Sequence, residues 1–276
     1  MDTRPATVNP FERELSAARS ACRTGGAILQ EWAEKFTAKE KSPSNLVTEA
    51  DLASQRAIFE ELTAAFPDYG FLGEEDTGQE QQAAGGRPHW VVDPLDGTGN
   101  YVHGFPYYAV SIGLEVDGKC VVGAIFDPTR DELFSAVAGR GAWLNKQRTG
   151  EAEICPTETA ALSEAFCVAS LPVDTTGDNL AVKRFLEIIP HAQTVQRTGS
   201  AALNLCYTAC GRIDAFWSTS LNPWDMAAGV VIVREAGGRV TQCGGGDFDL
   251  YVKDLLSSNG TDLHGELSRR LSEVTR

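Results

Sequence analysis

Residues 90–114, WVVDPLDGTGNYVHGFPYYAVSIGL, decide how this 276-residue chain is read. The apolar run from Trp90 ends in Asp93-Pro94, and proline drives the residue before it into extended backbone, so Asp93 closes a strand over His89 to Val92. Gly97 then permits a sharp bend, from which Asp93 and Asp96 project together. Asp, Pro and Gly also build ordinary type I turns, so the stretch keeps a purely structural reading until the carboxylates find partners. Beyond it, the runs Tyr108 to Val116, Cys120 to Phe126 and Glu132 to Val137, separated by Asp117-Gly118 and Asp127-Pro128, predict an antiparallel meander.

Upstream, helical spacing predicts a helix from Phe11 to about Phe36 that tolerates Gly25-Gly26. A second helix starts near Thr48, with Leu52, Phe59, Leu62 and Phe66 as its apolar face and Pro67 and Gly70 as its stop. Downstream, helices over Leu180 to Ile189, Ser200 to Cys210 and Trp224 to Ala236 alternate with strands at Ala165 to Ala169, Ile213 to Trp217, Arg239 to Thr241 and Leu255 to Ser257. Gly85-Gly86, Thr175 to Gly177 and Gly244 to Gly246 mark loops. Helices, then a meander, then mixed elements predict an α+β layered sandwich. An N-terminal α+β subdomain over residues 1–150 carries the antiparallel sheet, and a C-terminal α/β subdomain over 151–276 contributes Asp225.

Composition narrows the function. With 24 Lys and Arg against 38 Asp and Glu, the formal charge is −14, which excludes the basic face a nucleic-acid partner requires. The polar start MDTRPATVNP is no signal peptide, and the apolar stretch Ala227 to Val233 is too short to span a membrane, so a cytoplasmic protein is expected. Seven cysteines without a C-x-x-C pair read as reduced and buried; Cys206 and Cys210, four apart on a helix, read as packing.

Partners for the carboxylates do exist. Gly73-Glu74-Glu75-Asp76 follows the short apolar run Phe71-Leu72, and Trp224-Asp225 opens a helix continued by the small residues Ala227-Ala228-Gly229. Separately, the first reads as a solvated acidic loop and Asp225 as a charge complementing a helix dipole. Together, Glu74, Asp93, Asp96 and Asp225 around one cavity would repel without cations, and an all-oxygen set suits Mg²⁺ better than zinc. Asp51, in Thr48-Glu49-Ala50-Asp51, is either the acid of a capping box or a group that orients water.

These segments, with LVTEAD from Leu46, GEED from Gly73, RTGSAALNL from Arg197 and LNPWDMAAGVVIVREAGG from Leu221, resemble the inositol monophosphatase family of Mg²⁺-dependent, lithium-sensitive phosphatases over about residues 11–260. The resemblance implies an αβαβα sandwich assembled as a homodimer. It implies that Glu74, Asp93 and the Leu95 carbonyl hold a first Mg²⁺, that Asp93, Asp96 and Asp225 hold a second, and that Glu74 with waters holds a third. Thr98 and Asp51 would orient the attacking water, which makes Asp51, Thr98 and Glu74 the candidate catalytic residues, and the Gly97 and Thr98 amides would cradle phosphate. Ser200 and Ala201 fall where the family lines its substrate pocket.

Three positions depart from the family pattern. Gly99 and Tyr101 replace a Thr and a Phe beside the site, and Ser218 stands where inositol phosphatases place a Glu that binds sugar hydroxyls. The expected substrate is a small phosphorylated metabolite, first an inositol monophosphate-like polyol phosphate. Histidinol phosphate, fructose bisphosphate or a nucleotide 3′-phosphate are the alternatives within the family, and a catalytically silent phosphometabolite-binding protein is the alternative of another class.

Overall fold

A computed structural model describes residues 10–33, 35, 38–42, 45–75, 87–146, 149–172 and 175–274. The terminal segment 1–9, Phe36, Asp76 and the Gly85-Gly86 loop lie outside them. The chain runs α1 (Glu12–Trp32), β1 (Ala38–Ser42), β2 (Asn45–Thr48), α2 (Glu49–Ala65), β3 (Gly70–Gly73), β4 (His89–Asp96) and the short α3 (Thr98–Val102). Then come β5 (Ala109–Val116), β6 (Lys119–Asp127), β7 (Glu132–Val137), β8 (Ala142–Lys146) and β9 (Gly150–Glu153). After them follow β10 (Phe166–Ala169), α4 (Leu180–Ile188), β11 (Thr194–Gln196), α5 (Ala201–Ala209), β12 (Ala215–Ser218), α6 (Pro223–Glu235), β13 (Arg239–Thr241), β14 (Leu255–Ser258) and α7 (Asp262–Glu273).

Strands β3 to β9 form a seven-stranded sheet in sequential order, with β3 parallel to β4 and every later pair antiparallel. The second sheet is mixed, in the order β11-β10-β12-β14-β13. One hydrophobic cluster joins α1 and α2 to the first sheet, another fills the space between the two sheets around α5 and α6, and a third joins the second sheet to Ile188 of α4 and Leu263, Leu267 and Leu271 of α7. The layers are therefore α, β, α, β, α, as the resemblance implied. Covered by helices on both faces, β4 is buried along its whole length, which is why Trp90, Val91 and Val92 follow one another without alternation. The boundary expected near residue 150 falls at the start of β9.

Several elements differ from expectation. Helix α1 stops at Trp32. Gly25 and Gly26 are buried in it because it approaches α2 and β6 closely: a Cβ on Gly25 would lie 2.8 Å from Ile58 Cδ1, and one on Gly26 2.5 Å from Phe126 Cδ1. In α2 the buried face is Asp51, Ser54, Gln55, Ile58 and Leu62, while Leu52 is exposed. Apolar periodicity misses this face because its first turns are polar and point at the site. Helix α6 seats Ala227 and Ala228 on glycines of the first sheet: a Cβ on Gly113 would come within 2.7 Å of Ala227 Cβ, and one on Gly123 within 2.9 Å of the Ala228 carbonyl carbon. On its other side Gly229 meets Leu205 of α5.

Candidate active site

Asp93 and Asp96 end β4, Asp225 lies in the first turn of α6, and one carboxylate oxygen from each falls within 4.8 Å of the others. The register of β4 against β5 shifts between Asp93 and Asp96, so the strand bulges where both side chains must reach the same space. Gly97 follows with φ +95°, a conformation open to glycine, and starts α3.

Hydrogen bonds fix each acid. Leu95 N–H donates to Asp93 Oδ1 at 2.9 Å. Asp96 accepts from the Ser200 hydroxyl, from Ala201 N–H at 3.2 Å and from Ala202 N–H at 2.8 Å, so it closes the exposed amides at the start of α5. Asp225 Oδ2 accepts from Asn222 N–H at 2.7 Å as the acid of a capping box on α6. Asp51 Oδ2 accepts from Thr48 N–H at 2.9 Å and from the Thr48 hydroxyl at 2.5 Å, while its Oδ1 accepts from Thr98 Oγ1 at 3.2 Å. The two readings of Asp51 coexist, because one oxygen completes the cap and the other faces Thr98.

Burial dominates the electrostatics. It pushes Asp51 and Asp96 up to about 6, and it raises Asp93 and Asp225 well above the carboxylate range, helped by neighbouring carboxylates that include Glu74. Acids this unfavourable to ionise side by side suit a positively charged partner, and their donors are all oxygens, the set that a hard divalent ion takes.

Asp96 and Asp225 of the cluster line a cavity of about 640 Å³. Glu74, Gly97 and Thr98 also line it, with Ala201 at the start of α5; the opposite wall comes from residues 170–172, Arg197 to Gly199 and Ser220 to Asn222. The starts of α5 and α6 thus converge on the cavity, with their caps Asp96 and Asp225 facing it. Ser200 is fully buried beneath the wall with its hydroxyl on Asp96, and Ser218 is buried with its hydroxyl near Ser220, so neither lines the cavity. Asn100, whose side-chain amide donates to the Tyr107 and Thr198 carbonyls, and Arg197 were not singled out in sequence; nothing in local spacing marks a wall made by loops distant along the chain. A cavity of about 740 Å³ beside α1 is lined by Arg23, Arg130 and Lys146, which already pair with Asp131, Asp127 and Glu132; among the described residues it holds no acid cluster.

Fold and site together define a metal-dependent hydrolase for a small anionic substrate. Comparison with known proteins makes the assignment specific: the inositol monophosphatase family model matches residues 12–276, and the chain belongs to that family. It is 39% identical over 264 residues to inositol monophosphatase 2 of Solanum lycopersicum, covering 90% of this chain and 94% of the relative. It is 40% identical over 246 residues to an inositol-1-monophosphatase of Rhizobium meliloti, covering 89% and 88%. The solved structure of inositol monophosphatase from Anabaena (Nostoc) superposes with a TM-score of 0.84 at 34% identity, covering 96% of this chain and 97% of that one. The chain is accordingly a metal-dependent phosphomonoesterase.

Proposed function

We propose that this enzyme hydrolyses an inositol monophosphate-like polyol phosphate with two or three Mg²⁺ ions. The observation that carries the reading is the set of oxygens from Asp93, Asp96 and Asp225 within 4.8 Å of one another, with Asp96 and Asp225 lining a cavity sized for a small polar ligand. Glu74, Asp93, the Leu95 carbonyl, Asp96 and Asp225 are the residues that would hold the ions. When bound, Mg²⁺ supplies positive charge for the phosphoryl oxygens and acidifies water.

The remaining steps belong to the chain. Thr98 Oγ1 has one proton and two acceptors, Asp51 Oδ1 at 3.2 Å and the Leu95 carbonyl at 3.1 Å. Were the Leu95 carbonyl to hold a cation, the Thr98 proton would point to Asp51, and the Oγ1 lone pairs would accept a hydrogen bond that orients the attacking water. Asp51, titrating near 6, is ionised at neutral pH and holds that arrangement. Gly97 and Thr98 amides orient the phosphate at the start of α3, and Ala201 contributes to the wall that receives the alcohol. Ser200 serves the substrate through Asp96, and Ser218 through the Ser220 wall behind which it sits.

The acidic composition supports a protein that works without nucleic acid in the cytoplasm, and family kinship supports a homodimer; no described helix is long and apolar enough to cross a membrane. Phosphate release from inositol 1-phosphate, histidinol phosphate, fructose 1,6-bisphosphate and adenosine 3′,5′-bisphosphate, each with Mg²⁺ or EDTA, tests the reading. Mg²⁺-dependent turnover led by inositol 1-phosphate is the expected result. Preference for another member transfers the substrate assignment to it, and binding without turnover of any would replace catalysis with a silent binding role.

A further inference from the structure

Glu74 is the one acid of the proposed site that lies on neither a helix nor a regular strand, so its backbone needs a separate anchor. That anchor comes from α2. Asp51, Ser54 and Gln55 fall on one face of this helix and are each no more than 1% exposed. Asp51 reaches Thr98, Ser54 Oγ donates to the Pro94 carbonyl at 3.1 Å, and Gln55 reaches the Glu75 peptide. One helix face therefore touches three segments that bear site residues.

The Gln55 contact is two-sided. Its Oε1 accepts from Glu75 N–H at 2.9 Å and its Nε2 donates to the Glu75 carbonyl. On the other side of Glu74, the Glu74 N–H donates to the Val92 carbonyl at 3.0 Å. Both peptide groups flanking the Glu74 Cα are thus pinned, one by β4 and one by Gln55, and only side-chain torsions remain to Glu74. Gly73 makes room for this grip, since a Cβ there would lie 2.6 Å from Gln55 Cδ.

We propose that Gln55 is a positioning residue, which sets the Glu74 carboxylate for metal binding by holding the Glu75 N–H with one end of its amide and the Glu75 carbonyl with the other. The inference rests on the reading of Glu74 as a metal ligand. A buried carboxamide is the side chain this task needs, because it accepts and donates at once without adding charge to an acidic site. A glutamate of the same size keeps the acceptor, loses the donor and places another buried negative charge near Glu74 and Asp51.

The test uses Mn²⁺ as a spectroscopic probe, with free ion followed by electron paramagnetic resonance and no substrate present. Gln55→Met, which keeps the length of the side chain and removes both hydrogen bonds, is expected to weaken Mn²⁺ binding about 10-fold, the effect of losing a group that orients a metal ligand. Its melting temperature in EDTA should drop by a few degrees, because the buried Glu75 N–H and carbonyl lose these partners, while the protein remains folded. Saturating Mg²⁺ should restore kcat to Gln55→Met but not to Glu74→Gln, which lacks the ligand itself. Mn²⁺ affinity within about twofold of wild type in folded Gln55→Met overturns the proposal. Should Gln55→Met fail to fold, Gln55→Asn, which stays neutral but is one methylene too short to hold both groups, decides in the same way. A wild-type protein that binds no Mn²⁺ overturns instead the metal-site reading beneath it.

Discussion

Asp96 accepts three hydrogen bonds from the start of α5 and still presents an oxygen to Asp93 and Asp225. Asp96→Asn keeps the shape but turns a donor toward donors, and it removes a charge from the metal set. Turnover under saturating Mg²⁺ should fall by at least about 10²-fold with the far-ultraviolet circular dichroism unchanged; wild-type turnover would sink the metal role. Asp51 sets a second expectation. Because burial pushes it up to about 6 and the ionised form is the active one, kcat/KM should fall as pH drops through about 6, and a profile flat from pH 8 to 5 would remove Asp51 from the mechanism. At this scale the sequence was informative because DPLDGT, TEAD and WD pair carboxylates with the proline, glycine and cap residues that aim them. It was silent on Ser54 and Gln55, which act on backbone groups 40 and 20 positions away and carry no local signature.

Helix α6 shows why small residues sit in the middle layer. Its approach to the first sheet depends on Gly113 and Gly123, and its first turn carries Asp225. Gly123→Ala puts a methyl group against the Ala228 backbone, and the overpacking should cost about 1–3 kcal/mol in chemical denaturation and weaken Mg²⁺ activation together. A stable variant with unaltered activation would show that α6 can shift without moving Asp225. Helices and central strands were legible because their burial follows a period. The four residues of β9 are all exposed and leave no such pattern, so β8 and β9 extend the meander beyond what alternation reveals. Helix α7 also escaped notice. Its buried residues Leu263, Leu267 and Leu271 are spaced at four, but Gly265 and a run of charged residues interrupt the stripe.

Across the whole molecule, the buried acids bind stability to pH. Asp51, Asp93, Asp96 and Asp225 all titrate higher in the fold than their ordinary value of 3.8, so their contribution is full below about pH 4 and is lost as pH rises through about 6 and beyond. His264 works in the opposite sense: held neutral between Ser258 and Thr241 and lowered by burial to about 4, it loses stability as pH falls below about 6.5. Four acids lose stability above about pH 4 against one imidazole that gains it, so in EDTA the melting temperature should already be falling at pH 5 and continue to fall toward pH 8, with Mg²⁺ raising it most at pH 8. A metal-free melting temperature that climbs from pH 5 to 8 would contradict these ionisation states. Layer order was readable from the alternation of element types, but the sharing of α5 and α6 between both sheets is a long-range fact that no local pattern encodes. That sharing has a consequence for biosynthesis. A ribosome completes the seven-stranded sheet long before it reaches Pro223, so a prematurely terminated product has neither Asp225 nor the layer that covers one face of that sheet. With that apolar face bare, truncated translation products are ready clients for chaperones and proteases.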